Sequence, residues 1–147
     1  ILNFWTKSCK PCLEEMPELQ RLAELIRAER LDNIVVLTLS TDESVADAAS
    51  TLQQVLGGVP TFRTAVDPGG DVVQGQFGTK LFPETWFIDP DGVIRARIDG
   101  ARADWSSGLM LDYARSLSLP VTCGVTFTQG EPRGPEAGQC RDLGGAG

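Results

Sequence analysis

The sequence contains no histidine, and it has only four cysteines among its 147 residues. Histidine and cysteine side chains are the usual ligands of structural zinc, so a four-ligand site here would need all four cysteines. Cys9 and Cys12 are close enough in the chain to form half of such a site. Cys123 and Cys140, however, are separated by sixteen residues, which is not the spacing of a zinc knuckle. We therefore expect no metal site.

A long hydrophobic run and an excess of basic residues are also missing. A helix that crosses a membrane needs about 20 consecutive apolar residues, and no such run occurs, so we expect no membrane span in this chain. The 13 basic and 20 acidic residues give a formal net charge of −7. This acidic balance argues against nucleic acid and anionic membrane surfaces as the main partners. The length suits one globular domain.

The most informative feature that is present is the motif Cys9-Lys10-Pro11-Cys12. It lies between an apolar, strand-like run at residues 1–5 and a long amphipathic helix pattern. A helix that begins at this motif presents unpaired backbone N–H groups and its positive dipole end to the first sulfur, and both favour thiolate over thiol. The context predicts a redox-active cysteine pair without a further cofactor, with Cys9 as the attacking thiol. A purely structural disulfide is the alternative.

Apolar residues recur along the chain with spacings that alternate between strand and helix. The predicted helices cover residues 10–30, 45–56, 71–77 and 104–117, and the predicted strands cover residues 1–5, 34–40, 62–66, 85–88 and 93–98. The turn at residues 89–92 suits an antiparallel hairpin between the last two strands. We predict an α/β fold with a central mixed sheet, made of parallel strands and a C-terminal antiparallel hairpin, and with helices on both faces.

Several motifs resemble those of known redox proteins. The N-terminal set resembles the active-site stretch of thioredoxin-like proteins, and it comprises Leu2-Asn3-Phe4-Trp5, the Cys9 to Cys12 motif and Glu14-Glu15-Met16-Pro17. The later set resembles the cis-proline segment of extracytoplasmic thiol-disulfide oxidoreductases of the TlpA/ResA type, and it comprises Phe77-Gly78, residues 83–89 and Gly92. The resemblance covers residues 1 to about 118 and implies a thioredoxin-like fold.

The resemblance also implies roles for individual residues. Pro83 is expected to be cis and to lie against the cysteine pair, where the backbone of Phe82 would bind an extended substrate. Lys10 would add positive charge beside the thiolate, or would only be an exposed surface residue. Glu15 matches a buried glutamate that handles the proton of the resolving thiol, Cys12. The alternative for Glu15 is a solvated helix residue like its neighbour.

Four residues depart from the pattern of the related proteins. Leu81 and Phe82 replace the usual small or polar residues before the cis-proline, where Phe82 would offer an apolar contact or simply pack. Ser8 stands where tryptophan usually precedes the first cysteine, which would open the surface around the disulfide. Asn3 replaces the buried aspartate of cytosolic thioredoxins and so removes that proton acceptor. The loss of that acceptor makes Glu15 the candidate for proton handling.

These features predict an enzyme that exchanges disulfides with protein substrates, more readily as a reductant than as an oxidant. Cys9 would attack a substrate disulfide, and Cys12 would resolve the mixed disulfide. The expected partners are a protein dithiol or disulfide and a recycling redox partner, and we expect the chain to act as a monomer.

Two other functions remain open from the sequence. Thr6-Lys7-Ser8-Cys9 has the T-x-x-C spacing of peroxiredoxins, which would make Cys9 a peroxidatic cysteine, although Leu2 occupies the place of the expected proline. The third hypothesis is a binding module that uses the thioredoxin scaffold with an inert disulfide. Turnover on a protein disulfide would distinguish the enzyme from the binder.

Residues 119–147 differ in composition from the rest of the chain, because they are rich in glycine, proline and small polar residues. We expect residues 1–118 to form the thioredoxin-like domain, truncated at its N-terminus, and the extension to be stapled by a Cys123–Cys140 disulfide. A second stable disulfide implies an oxidising compartment, and we expect an extracytoplasmic protein that is periplasmic or tethered by a missing N-terminal segment.

The predicted Cys123–Cys140 disulfide can be tested by replacing both cysteines with serine. A disulfide that closes a loop of this length contributes about 3 kcal/mol in the chain-entropy model. We expect the double variant to unfold at lower denaturant concentration than wild type and to retain disulfide reductase activity. Loss of turnover in a folded double variant would instead place this pair in the electron path.

Overall fold

The computed structural model describes residues 1–118 in full, together with the backbone of two short strands further along the chain. The strands of the main sheet are β1 (Leu2–Trp5), β2 (Leu37–Ser40), β3 (Arg63–Val66), β4 (Glu84–Ile88) and β5 (Ile94–Asp99). The helices are α1 (Lys10–Ala28), α2 (Val45–Leu56) and α3 (Gly108–Ser116), with a π-helical segment at Asp71–Gln76. The later strands, β6 (Thr126–Thr128) and β7 (Glu131–Arg133), pair antiparallel with each other.

Five strands form one mixed sheet in the order β3-β2-β1-β4-β5. The central strand β1 is parallel to β2 and antiparallel to β4, β2 is parallel to β3, and β4 and β5 form the hairpin. Parallel neighbours need a crossover connection, and α1 and α2 provide the two that occur here. The predicted α/β class and the mixed sheet with a C-terminal hairpin are confirmed.

One face of the sheet is covered by α1 and α3. Asn3 and Thr85 are paired across β1 and β4 on this face, and Glu15 of α1 reaches Asn3. Phe87 lies on the same face as Thr85, because side chains two residues apart in a strand point the same way. Its ring contacts Tyr113 of α3 at a centroid distance of 4.9 Å. Helix α2 packs beside α1.

The opposite face is covered by the π-helical segment. Phe77, which ends this segment, contacts the rings of Phe4 and Trp86 at centroid distances of 5.1 and 5.2 Å. The backbone makes the wide turn of a π-helix, since Gly75 N–H donates to the carbonyl of Gly70, five residues earlier, at 3.1 Å. The sequence predicted an ordinary short helix over residues 71–77.

The last helix was predicted too long at its N-terminus. Residues 104–107 form a turn in which Ser107 N–H donates to the Asp104 carbonyl at 3.0 Å, so α3 begins only at Gly108. The hydroxyl of Ser107 then accepts a hydrogen bond from Met110 N–H at 3.2 Å, which is the usual N-cap interaction. Residues 100–107 therefore form a non-helical connection between β5 and α3.

The predicted C-terminal extension lies mostly outside the described residues. Cys123 and Cys140 are both outside them, so the disulfide between these two cysteines stays a prediction. The same holds for a domain boundary at residue 118.

The buried face of α1 should carry much of the folding free energy. Leu19 is 0% exposed and Leu81 is 82% exposed, so the same Leu→Ala change can be compared in the core and on the surface. We expect Leu19→Ala to lower the free energy of unfolding by about 2–5 kcal/mol and Leu81→Ala to change it by less than about 0.5 kcal/mol. Equal losses in urea unfolding would contradict this placement of α1.

Candidate active site

Cys9 and Cys12 form a disulfide at the start of α1. Their Cα atoms are 5.3 Å apart, and Cys9 is the N-cap residue, with extended backbone just before the first helical turn. The sulfur of Cys9 accepts a hydrogen bond from Cys12 N–H at 3.2 Å. Pro11 lies in the first turn, where no intrahelical N–H donor is needed. The same N–H group and the helix dipole would stabilise a Cys9 thiolate after reduction.

The two cysteines differ in exposure. Cys9 is half-buried, whereas Cys12 is 0% exposed and belongs to the hydrophobic core. Ser8, Lys10 and Pro11 around Cys9 are exposed. This difference in exposure favours Cys9 as the sulfur that an incoming disulfide reaches, and the order of attack itself stays a prediction.

Asp42, at the end of β2, holds the loop that precedes Cys9. Its Oδ1 accepts from the Thr6 hydroxyl at 2.9 Å, and its Oδ2 accepts from Lys7 N–H at 2.9 Å and from the Ser40 hydroxyl at 2.6 Å. Asp42 is 6% exposed, so these are buried, charge-assisted hydrogen bonds. The sequence did not reveal this role of Asp42, because the contact depends on β2 lying beside β1.

Glu15 is a buried carboxylate with hydrogen-bond donors from two other parts of the chain. It is 2% exposed. Its Oε1 accepts from Asn3 Nδ2 at 2.9 Å. Its Oε2 accepts from the backbone N–H of Arg102 at 3.0 Å and from Trp105 Nε1 at 2.9 Å. Burial raises the pKa of Glu15 above its ordinary value of 4.5, and the three hydrogen bonds oppose part of that rise.

The hypothesis that Glu15 is a solvated helix residue is wrong. Its neighbour Glu14 is exposed and forms an ion pair with Lys10, whereas Glu15 faces the core. Cys12 and Glu15 are three residues apart on the same buried face of α1, which makes them neighbours on the helix surface. Their placement fits proton transfer between them, and the role itself remains a proposal.

Pro83 lies at the same end of the sheet as the cysteine pair. The antiparallel register pairs Phe4 with Glu84, so Pro83 follows on toward the end of β1 that leads to Cys9. The Phe82–Pro83 peptide bond is cis, as the resemblance implies. Pro83 is buried and Phe82 is half-buried against the core. A direct contact between Pro83 and the cysteines stays a prediction.

Among the predicted site residues in the described part of the chain, Lys10 is the most exposed. Its side chain is 87% exposed, and Nζ lies 3.8 Å from a carboxylate oxygen of Glu14, four residues later in α1. An exposed pair of this kind contributes about 0.3–0.5 kcal/mol to stability. The positive charge is therefore close to the helix start but is shared with Glu14, and a role in substrate binding remains untested.

Neither a metal cluster nor a membrane span is found in the described part of the chain. Among these residues no group of three or more cysteine and carboxylate side chains is arranged to hold a metal ion. In the same residues no helix combines the length and the apolar character needed to cross a bilayer.

A disulfide between cysteines at the first turn of a helix, beside a mixed sheet of this topology, is characteristic of thioredoxin-fold redox proteins. The chain belongs to the AhpC/TSA family, whose model matches residues 1–97. It is similar to thiol-disulfide oxidoreductase ResA of Oceanobacillus iheyensis, with 32% identity over 115 residues, which are 78% of this chain and 56% of that protein. ResA of Bacillus anthracis is 31% identical over 100 residues, or 68% of this chain and 54% of that protein. The chain thus spans about half the length of these relatives.

Solved structures agree with this assignment. A DsbE-type thiol:disulfide interchange protein from Chlorobium tepidum superposes with a TM-score of 0.58 at 27% identity, covering 74% of this chain and 72% of that one. The dsbF protein of Mycobacterium tuberculosis has a TM-score of 0.59 over 80% of this chain and 78% of its own, and at 21% identity it supports the fold alone. The predicted thioredoxin-like fold and the resemblance to the TlpA/ResA type are confirmed.

Besides Asp42, sequence reasoning missed the site residues Trp105 and Arg102. Both lie in the polar stretch at residues 101–107, of which residues 104–107 were assigned to the last helix. A tryptophan in such a polar stretch was the only sign that the segment is buried against something. Its partner Glu15 is 90 positions away in the chain.

The raised pKa of Glu15 predicts a pH dependence of stability. The folded state keeps the Glu15 proton at pH values where the unfolded chain has released it. Its contribution to stability is therefore complete below about pH 4.5 and is lost as the pH rises through the folded pKa. We expect the free energy of unfolding of the oxidised protein, measured with urea, to fall more over this range in wild type than in Glu15→Gln.

Gln fits this site, because Asn3 Oδ1 has no hydrogen-bond partner in the described residues and a flipped Asn3 amide would accept from the new NH₂ group. The matched control is Glu14→Gln on the exposed side of α1, which should follow wild type. An identical pH dependence in wild type and Glu15→Gln would contradict the assignment.

Proposed function

We propose that this chain is a thiol-disulfide oxidoreductase that exchanges disulfides with protein substrates through Cys9 and Cys12. The observation that carries the proposal is the cysteine pair at the start of α1. Cys9 is the N-cap residue, and its sulfur accepts a hydrogen bond from Cys12 N–H. The activity named for the ResA relatives is the same, although the chain covers only about half of each of them.

In the reducing direction, the cycle begins with both cysteines reduced. The Cys9 thiolate attacks one sulfur of a substrate disulfide, forms a Cys9–substrate mixed disulfide and releases the other substrate sulfur as a thiolate, which takes up a proton. Cys9 suits this step because its side chain is partly exposed to solvent and lies at the positive end of the helix dipole. Lys10 adds a further positive charge at the same helix end.

The second step needs a thiolate at the buried Cys12. Cys12 loses its proton and attacks the Cys9 sulfur, so that the Cys9–Cys12 bond forms, the mixed disulfide breaks and the second substrate sulfur leaves as a thiolate. A buried thiol is hard to ionise, because desolvation disfavours the charged form. Glu15, one turn further along the same buried face, is the group that accepts this proton.

Substrate would bind beside the cis-proline. The loop that ends at Pro83 lies at the same end of the sheet as Cys9, and an extended peptide could pair with the backbone of Phe82 in the manner of an added strand. Leu81 is 82% exposed next to this loop and provides an apolar contact. Phe82 is half-buried and supports the loop from below.

We further propose that the chain works as a reductant in an extracytoplasmic compartment, with a separate redox partner that reduces Cys9–Cys12 after each turnover. The support is the resemblance to the TlpA/ResA type together with the predicted second disulfide in the extension, which would persist only in oxidising surroundings. We propose a monomer as the active form.

The position of Thr6 argues against the peroxidase hypothesis. The Thr6 hydroxyl donates a hydrogen bond to Asp42, so it is not available to donate one to a peroxide. In addition, Cys12 is already bonded to Cys9, and it would capture a sulfenate at Cys9 as a disulfide.

The order of attack predicts different behaviour for the two cysteine variants. Cys12→Ser should form a stable mixed disulfide with a substrate protein through Cys9, whereas Cys9→Ser should form none and should lose turnover. In the reduced wild type, iodoacetamide alkylation against pH should give Cys9 a pKa below that of an ordinary free cysteine, because the helix N-terminus stabilises its thiolate. Faster alkylation of Cys12 than of Cys9 near neutral pH would reverse the assignment.

A further inference from the structure

The connection between β5 and α3 is attached to the active-site helix at two points. Glu15 accepts from Arg102 N–H and from Trp105 Nε1, and Glu18, one turn further along α1, accepts from the Ser106 hydroxyl at 2.6 Å. The two glutamates lie on the same side of α1. Residues 102–106 therefore cover the part of α1 that follows Cys12.

Trp105 is held rigidly in this connection. Its side chain is 0% exposed and packs in the hydrophobic core, with its ring 6.3 Å from that of Phe87 in β4. An indole has only one N–H donor, and here it donates to Glu15 Oε2 at 2.9 Å. Since packing fixes the ring, it also fixes the direction of that donor.

We propose that Trp105 is a positioning residue for Glu15, whose indole N–H holds the carboxylate beside Cys12 in the orientation that receives the thiol proton. This inference rests on the proposed function, because it concerns the same proton transfer. It adds a residue that is 90 positions away in the sequence to the site formed by β1 and α1.

The arrangement of donors explains why the indole N–H matters. Oε1 faces Asn3 on the sheet, and Oε2 is bonded by both Trp105 and the Arg102 amide. Without the indole N–H, the buried carboxylate loses one of its three hydrogen bonds, and a hydrogen bond to a charged group is stronger than one between neutral groups. The protonated form of Glu15 then becomes more favourable, and the carboxyl group is free to turn away from Cys12.

The other charged and titratable groups around Glu15 are accounted for by their own contacts. On α1 these are Cys12 and Glu18, and Glu18 also pairs with Arg21. On the connection, the Arg102 guanidinium binds the Asp104 carboxylate at 2.7 and 2.9 Å. On the sheet, Asn3 and Thr85 are neutral. Changes at Trp105 should therefore act on Glu15 first.

The test is the pH titration of the Cys12 thiol in the reduced chain, followed by the ¹³Cβ chemical shift of Cys12, because a buried sulfur gives this signal without reagent access. Ionisation of Glu15 should produce a low-pH inflection in this titration, since Glu15 and Cys12 titrate as a coupled pair. We expect Trp105→Phe, which keeps the ring but removes the donor, to move this inflection up by about one pH unit. In a Glu15→Gln background the inflection should be absent, and Trp105→Phe should change nothing further.

Two controls separate positioning from general loosening. Ser106→Ala removes the other attachment of the same connection without touching Glu15, and it should leave the inflection in place. Trp86→Phe removes an indole N–H that has no partner in the described residues. Trp86 lies on the opposite face of the sheet, so this variant should also leave the inflection in place. An unchanged inflection in Trp105→Phe, an equal shift in Ser106→Ala, or a further change caused by Trp105→Phe in the Glu15→Gln background would overturn the proposal.

The Cys12 titration needs no substrate, so a wild type that fails to reduce protein disulfides defeats the proposed function but leaves this measurement valid. If Trp105→Phe does not fold, the test uses the oxidised wild type instead, and the quantity measured is the indole ¹H–¹⁵N resonance of Trp105. That resonance should shift with pH through the titration of Glu15, and it should stay constant over the same range in Glu15→Gln. A constant resonance in wild type would contradict the proposal.

Discussion

A single buried carboxylate, that of Glu15, connects the parts of the domain that form the active site. It extends from α1, accepts from Asn3 on the central strand, and accepts twice from the connection before α3. A carboxylate at 2% exposure is tolerated only when it is fully hydrogen-bonded, because desolvation of an unpaired charge costs several kcal/mol. The strand, the helix and the connection must therefore be in place together, and Glu15, where they meet, lies three residues after Cys12 of the disulfide.

The two cysteines of the pair have opposite electrostatic surroundings. Cys9 lies at the helix N-terminus, where a backbone N–H bonds its sulfur, and it is partly open to solvent. Cys12 is enclosed in the core, one helical turn from a carboxyl group. These surroundings favour ionisation of the first sulfur and restrain ionisation of the second. In the proposed mechanism, this difference separates an attacking from a resolving thiol before any substrate arrives.

The elements predicted from the sequence are those specified by local pattern. β1, α1 with its cysteine motif, α2 and the hairpin follow from apolar periodicity, capping residues and turn residues close to one another in the chain. The predicted start of α3 at residue 104 was wrong because Asp104 and Ser107 are both good capping residues. Only the tertiary position of the connection decides between them. Likewise, Glu15 was found through a resemblance, but its donor Trp105 depends on a contact across 90 positions that no local pattern encodes.

The same sequence separation bears on the order in which the domain is completed during synthesis. The cysteine motif and α1 are made before Arg102 and Trp105, which follow all five strands of the main sheet. Until those residues emerge, Glu15 lacks two of its donors, and α1 cannot bury that carboxylate without cost. Contacts of long sequence separation also form late in folding, because closing a long loop has an entropic cost. The cysteine pair is thus synthesised well before the contacts that complete its surroundings, and its thiols stay open to other cysteines throughout that interval.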